Sequence, residues 1–172
     1  ENFVLGYVGN ISHWLLTAGS QAPEPFLNPR SLPVELLKQG ANDLLEEAQL
    51  LLDELSRAKP DRQTLLRLAF RFPRQVVKKR AVRLLLICDE FQEIRTLENY
   101  PNSQNILALL RAEMQSQSGV QYFLAGSAIS ILTQMLSSPE SPLFAQFTRL
   151  SVEPFSRENT RELVNKILRE PL

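Results

Sequence analysis

A chain of 172 residues, 44% apolar and 22% charged, has the size and composition of one ordinary globular domain, which excludes both a disordered tail and two full domains. Nineteen basic residues balance nineteen acidic ones, so no net field draws the chain to nucleic acid or acidic lipid, and any such binding has to come from a local patch. No apolar run, Leu84 to Cys88 included, approaches the roughly 18 residues that span a bilayer.

Near the start, Phe3-Val4-Leu5-Gly6-Tyr7-Val8 is rich in β-branched and aromatic residues and is bounded by Gly9-Asn10, which predicts a short buried strand. Phe3 to Leu16 lacks the basic lead of a signal sequence and is interrupted by Asn10, Ser12 and His13, so it reads as mature protein. Four prolines between Ser20 and Pro33 remove backbone donors and fix φ, and residues 17–33 are expected to form a loop or lid. A helical segment is expected over 34–80. Its first helix runs from Val34 to Ser56, with Leu37, Leu44, Leu45, Ala48, Leu52 and Leu55 at spacings of three, four and seven. Asp61 is placed to cap a second helix that reaches Phe72 and stops at Pro73.

Charge is segregated across these helices. Asp43, Glu46, Glu47, Asp53 and Glu54 make the first acidic, and ten Lys and Arg residues between Arg57 and Arg83, relieved by Asp61, make the second basic. One reading is a surface for nucleic acid, phosphate or a partner protein; the other is a solvated face paired with its acidic neighbour. The stretch reads as lacking the aromatic interleaving that stacks bases, which favours the second.

Arg83-Leu84-Leu85-Leu86-Ile87-Cys88 has the continuous apolar pattern of a parallel strand buried on both faces. A helix opened by Ser103 follows, through Leu107, Leu110 and Met114 to a stop at Gly119. Val120 to Ala125 is a further strand ending in Gly126-Ser127. Next come a helix with Ile129, Leu132, Met135 and Leu136 inward, a Ser141-Pro142-Leu143-Phe144 loop and a short strand at Leu150-Ser151-Val152. A final helix capped by Ser156 carries Leu163, Val164, Ile167 and Leu168 on one face. Strands alternating with helices predict an α/β fold, a mostly parallel sheet flanked by helices. Cys88 is the single cysteine and His13 the single histidine, so neither a disulfide nor a zinc site is expected, Cys88 is assigned to packing, and the natural compartment is a reducing cytoplasm.

Two adjacent carboxylates, Asp89 and Glu90, end the first of these apolar strands. Open α/β sheets bind ligands at that edge, and buried carboxylates there are costly unless they face a cation. Asp89 is suited to holding Mg²⁺ and Glu90 to polarising an attacking water beside a γ-phosphate. A solvated Asp-Glu pair at a strand end is the plain alternative.

From here the chain resembles the archaeal-type ATPases of the AAA+ and STAND P-loop group. In that family the Walker B strand reads as apolar residues followed by Asp, Glu and an aromatic, as in Leu84 to Gln92. The sensor-1 strand ends in Gly-Ser, as at Gly126-Ser127. A Ser-Pro-Leu-aromatic loop follows, as at 141–144, and then a strand, a Pro-aromatic step and a capped helix, as from Leu150 to Glu158. Residues 82–168 are covered. The resemblance implies ATP and Mg²⁺ as cofactors, with Asp89 coordinating Mg²⁺, Glu90 activating water and Ser127 reading the γ-phosphate. Where the family has Gly-Arg after the Ser-Pro-Leu-aromatic step, this chain has Ala145-Gln146, and Arg149 is the candidate substitute for phosphate or inter-subunit contact. Implied partners are ATP, a protein partner or second copy, and DNA through flanking domains; no membrane is implied.

No Gly-x-x-x-x-Gly-Lys-Ser/Thr occurs in the sequence, so nothing in it cradles β- and γ-phosphates. The resemblance therefore implies a partial ATPase domain that begins at the family's second strand, Phe3 to Val8, with the Walker A half elsewhere. Its absent first strand would leave a gap between 120–125 and 150–152. The expected function is the Walker B and sensor-1 part of an ATP-driven switch, a hydrolase where a P-loop accompanies it and inactive alone. Two alternatives stand beside it: a non-catalytic module that binds nucleic acid or protein through the basic 57–83 stretch, and an unrelated α/β domain in which Asp89-Glu90 is structural.

Overall fold

A computed structural model describes residues 2–100 and 105–169. The fold is helix-rich, with a two-stranded parallel sheet at one side of a helical core. The chain opens with a helix, α1 (Asn2–Thr17), where a strand was expected over Phe3 to Val8. Val4, Val8 and Ile11 are buried at helical spacing, so a face-forming period of 3.6 overrides the local β preference of the valines and aromatics. Ser12 and Thr17 sit on the buried side because their hydroxyls donate to the carbonyls of Val8 (2.9 Å) and His13 (2.8 Å), four residues back.

The proline-rich segment is more ordered than a loop. It contains a 3₁₀ turn, Glu24–Leu27, whose Phe26 is fully buried, and helix α2 begins within it at Leu32 (Leu32–Lys38), with Pro33 in the first turn, where proline loses no hydrogen bond. The single helix expected from Val34 to Ser56 is in fact two. After α2, Gly40 adopts φ +67°, Gly40 N–H donates to Leu37 O and Ala41 N–H to Leu36 O at 2.7 Å. This Schellman stop needs the left-handed residue that glycine supplies. Helix α3 (Asn42–Leu55) then buries Leu44, Ala48, Leu51 and Leu52.

Asp61 caps α4 (Arg62–Arg80) as expected, its carboxylate accepting from Gln63 N–H and Thr64 N–H. The helix does not stop at Pro73. Proline removes the bond to the Ala69 carbonyl, yet Phe70, Phe72, Pro73 and Val76 are all buried, and the apolar contact on both sides of the proline carries the helix on for two more turns. Gln117 Nε2 donates to the Phe70 carbonyl (2.6 Å) beside this break. Helix α4 packs on α1, α3 and α5 and against the sheet, and each fully buried Leu or Phe of the shared core contributes roughly 1.5–3 kcal/mol.

Strands β1 (Leu84–Cys88) and β2 (Val120–Leu124) pair in parallel, in register from Leu84 with Val120 to Cys88 with Leu124. Helix α5 (Ile106–Gln115) lies between them in sequence, making a β-α-β unit. Ser103, expected to open α5, lies outside the described residues; Ile106 and Leu110 are its buried positions. Burial on both faces, expected for the 84–88 strand, is not observed. Leu84, Leu86 and Cys88 face the helices, whereas Leu85 is 61% and Ile87 68% exposed, with Phe123 beside them. Helix α6 (Ile129–Ser137) buries Met135, with Leu132 and Leu136 partly covered and Ile129 exposed. Leu143 is buried, and Arg111 ties its loop to α5 through the Pro142 carbonyl (2.6 Å).

The strand expected at Leu150-Ser151-Val152 does not form. Among the described residues they have no sheet partner, and Val152 is 98% exposed, so three residues of strand-like composition are too little without a neighbouring strand to pair with. The expected gap between two strands therefore does not exist here, since one of its walls is absent. Helix α7 (Arg157–Arg169) is capped as expected, with Ser156 Oγ accepting from Asn159 N–H at 3.1 Å. Leu163, Val164 and Ile167 are exposed, and the side chain of Leu168 lies outside the described set.

Candidate functional site

The parallel ladder runs on past the two strands. Ala125 N–H donates to Cys88 O and Phe91 N–H to Ala125 O, both at 2.9 Å, which holds the Asp89-Glu90 turn alongside Gly126-Ser127. Across this junction Glu90 Oε2 accepts from Ser127 Oγ at 3.1 Å and from Ser127 N–H at 3.2 Å. Asp89 Oδ1 accepts from the Glu90 N–H at 2.9 Å, closing the turn locally. Glu90 itself has φ +46°, a left-handed conformation that is unfavourable for a residue with a Cβ and is held by the surrounding hydrogen bonds.

A third group was not foreseen. Gln92 is buried and its Nε2 also donates to Glu90 Oε2. Its amide lies over Gly126, where an added Cβ would fall 2.1 Å from Gln92 Oε1, so the glycine makes room for the amide. The signal was present as an amide two residues after a carboxylate and a glycine at the facing strand end, but it has meaning only once the two strands are paired. Hydrogen bonding from Gln92, followed by that from Ser127, holds the Glu90 carboxyl below the ordinary carboxylate range.

Asp89, Glu90 and Ser127 are all exposed. The cost of burying carboxylates, which had pointed to a facing cation, does not arise. Arg149 lies on the exposed segment between Leu143 and α7 and makes no hydrogen bond or ion pair among the described residues. The structure thus brings together Glu90 and Ser127, sets Asp89 beside them, and leaves Arg149 without a contact to any of the three.

As metal ligands, these residues are few: among the described residues no group of three His, Cys, Asp or Glu side chains converges. Asp89 retains free acceptor oxygen beyond its bond to Glu90 N–H, which fits a Mg²⁺ ion held by one carboxylate together with phosphates and water, and does not fit an all-protein cage. Cys88 is partly buried, and burial raises its thiol pKa, the behaviour of a packing cysteine. His13 Nε2 pairs with the Gln21 carbonyl (2.7 Å).

Among the described residues, part of the basic stretch, four of its ten cations, is ion-paired with its acidic neighbour. Arg57 pairs with Glu54 (2.7 Å), Arg71 with Glu47 (3.3 Å), Lys79 with Glu47 (3.2 Å) and Arg80 with Asp43 (2.6 Å). Such pairs add little stability, but they offset part of the positive charge a polyanion would meet. Two aromatics do interleave the run, Phe70 and Phe72, and both are buried, so neither can stack on a base. Among the described residues no helix is long and apolar enough to cross a membrane.

No protein-family model, curated protein or solved structure matches the chain.

Proposed function

We propose that this chain supplies the Walker B and sensor-1 part of an ATP-binding and ATP-hydrolysing core of the AAA+/STAND type. One observation carries the reading: at the C-terminal end of a parallel β-α-β pair, Glu90 is gripped by Ser127 from the next strand, with Asp89 beside it. In this reading Asp89 holds Mg²⁺, which when bound with ATP supplies charge neutralisation at the phosphates. Glu90, kept ionised by Gln92 and Ser127, accepts a proton from the attacking water. Ser127, whose hydroxyl reaches Glu90, senses whether a γ-phosphate is present, and Arg149 is the remaining candidate for phosphate contact.

With no P-loop sequence in these 172 residues, hydrolysis belongs to a polypeptide in which a P-loop accompanies them. There, Glu90→Gln is expected to retain ATP but abolish turnover, because the amide keeps the shape and cannot take a proton, while Asp89→Asn weakens Mg²⁺-dependent binding. Equal hydrolysis by wild type and Glu90→Gln would remove Glu90 from the chemistry. The 172-residue chain alone is expected to give no binding heat with Mg²⁺-ATP, since it offers no nest of amides and no lysine to offset phosphate desolvation.

A further inference from the structure

The outer face of the sheet is bare. Leu84, Leu86 and Cys88 pack against the helical core, and the same alternation leaves Leu85, Ile87 and Phe123 exposed on the other side. Ile87 and Phe123 are partners in the ladder, so these side chains form one patch. Parallel strands are ordinarily covered on both faces, and a contiguous apolar patch marks a contact surface.

Helix α7 has the converse deficit. Thr160, Leu163, Val164 and Ile167 fall on one side of it at helical spacing, with Glu158, Glu162 and Asn165 on the other, yet every side chain from Thr148 to Ile167 is exposed. A helix of 13 residues is marginal in water without a surface for its apolar stripe.

Length and charge match the two. Helix α7 is about 20 Å long, and the strands, of five residues each, run for about 17 Å. Phe147 is the last side chain before α7 that packs on the core, and residues 148–156 span up to about 30 Å when extended, enough to lay the helix along the strands. The outer stripe of β1 runs from Arg83 through Leu85 and Ile87 to Asp89, all exposed. A helix antiparallel to the strands brings Arg157, in its first turn, and its positive end to Asp89, and its negative end to Arg83. The reverse orientation opposes like charges at both ends.

We propose that α7 is a strap that closes over the outer face of the β1–β2 sheet of its own chain, antiparallel to the strands, with Leu163, Val164 and Ile167 on Leu85, Ile87 and Phe123. The undocked arrangement is its open form. The strap needs no nucleotide, so it and the ATPase reading can fail independently.

Nuclear Overhauser contacts in the 172-residue chain without ATP test this directly. The Ile167 methyls are expected to contact Leu85, and those of Val164 to contact Ile87 and the Phe123 ring. A sample mixing isotope-labelled and unlabelled chains is expected to show none of these contacts between copies. No such contacts, or contacts only between copies, would overturn the strap. Coupling is read by hydrogen exchange: Ile87→Lys, at an exposed position, is expected to speed exchange of the α7 amides by at least about tenfold through loss of one large apolar contact, while Glu162→Gln on the polar side leaves them nearly unchanged. Exchange in α7 indifferent to Ile87→Lys would also overturn it. Val164→Lys is the reciprocal variant, leaves the sheet sequence intact, and is expected to shift the Ile87 methyl resonances; unmoved resonances would count against docking in the same way.

Discussion

Gln117 joins the helical core to the sheet through two bonds of one side chain. Its Nε2 donates to the Phe70 carbonyl in α4 (2.6 Å) and its Oε1 accepts from the Tyr122 hydroxyl in β2 (2.7 Å), while the residue itself is 8% exposed. Gln117→Leu preserves bulk and removes both bonds. It leaves the Tyr122 hydroxyl, largely withdrawn from water and with a pKa pushed up to about 12 chiefly by burial, facing an apolar group. Each lost bond with an orphaned partner costs about 1–2 kcal/mol, giving about 2–4 kcal/mol in all and a fall in Tm of roughly 4–16 °C for a chain of this size. Tyr122→Phe alone orphans only Gln117 Oε1 and is expected to cost about 1 kcal/mol. Combined with Gln117→Leu it should add nothing, and it should recover part of the loss, because the stranded hydroxyl is gone. Urea unfolding followed by far-UV circular dichroism gives all three values, with equal m required for the comparison. Costs that simply add to within about 0.5 kcal/mol, or a Gln117→Leu cost below about 1 kcal/mol, would refute the bridge.

Gly9→Ala is expected to destabilise by about 1–3 kcal/mol, read as a lower Tm, because its Cβ would sit 2.4 Å from the Phe26 backbone carbonyl oxygen and backbone cannot step aside cheaply. Gly6→Ala is the control, since nothing lies within 4 Å of its Cβ position; the glycine costs helix α1 stability, and alanine there should be neutral or stabilising. Gly126→Ala is expected to displace Gln92 from Glu90 and raise the Glu90 pKa toward the ordinary 4.5, measured by NMR titration. An unmoved pKa would show that Gln92 is not what depresses it. The acid limb of stability carries the matching sign. A carboxyl whose folded pKa is depressed stabilises the fold above its unfolded value, and the effect is lost as pH falls through the folded value. Glu90→Gln should therefore reduce the loss of stability below about pH 4.5.

Where sequence and structure agree, a side chain acts on its own neighbours. Asp61 caps α4 because an Asp at that position reaches amides two and three residues on, and Ser156 caps α7 likewise. The 84–88 and 120–124 runs were legible as strands, and their parallel pairing followed from the helix between them. Disagreement begins where a distant surface decides. Phe3 to Val8 is helical because Val4, Val8 and Ile11 share a buried face, and α4 passes Pro73 because Phe70 and Val76 are buried on either side of it. Leu150 to Val152 had strand composition and no partner. At the site, Asp89, Glu90 and Ser127 were legible as chemistry-bearing residues at strand ends, whereas the role of Gln92 depends on which strands meet.

The differences also narrow what the functional reading stands on. With a helix at 2–17 and no strand at 150–152, the flanks of the ATPase resemblance lend it no support, and the weight falls on the β1–β2 junction. There the competing account is that Glu90 is a structural clamp, accepting from Ser127 and Gln92 to hold a left-handed turn. The two accounts make opposite use of one atom replacement. An amide at position 90 still offers an oxygen to Ser127 N–H and Oγ, so as a clamp Glu90→Gln is nearly conservative and only Glu90→Ala should open the turn. As a proton acceptor, Glu90→Gln is as disabling as alanine. A turn that survives the amide while turnover does not separates chemistry from architecture, because the hydrogen-bond geometry is shared by both accounts and the charge is needed by only one.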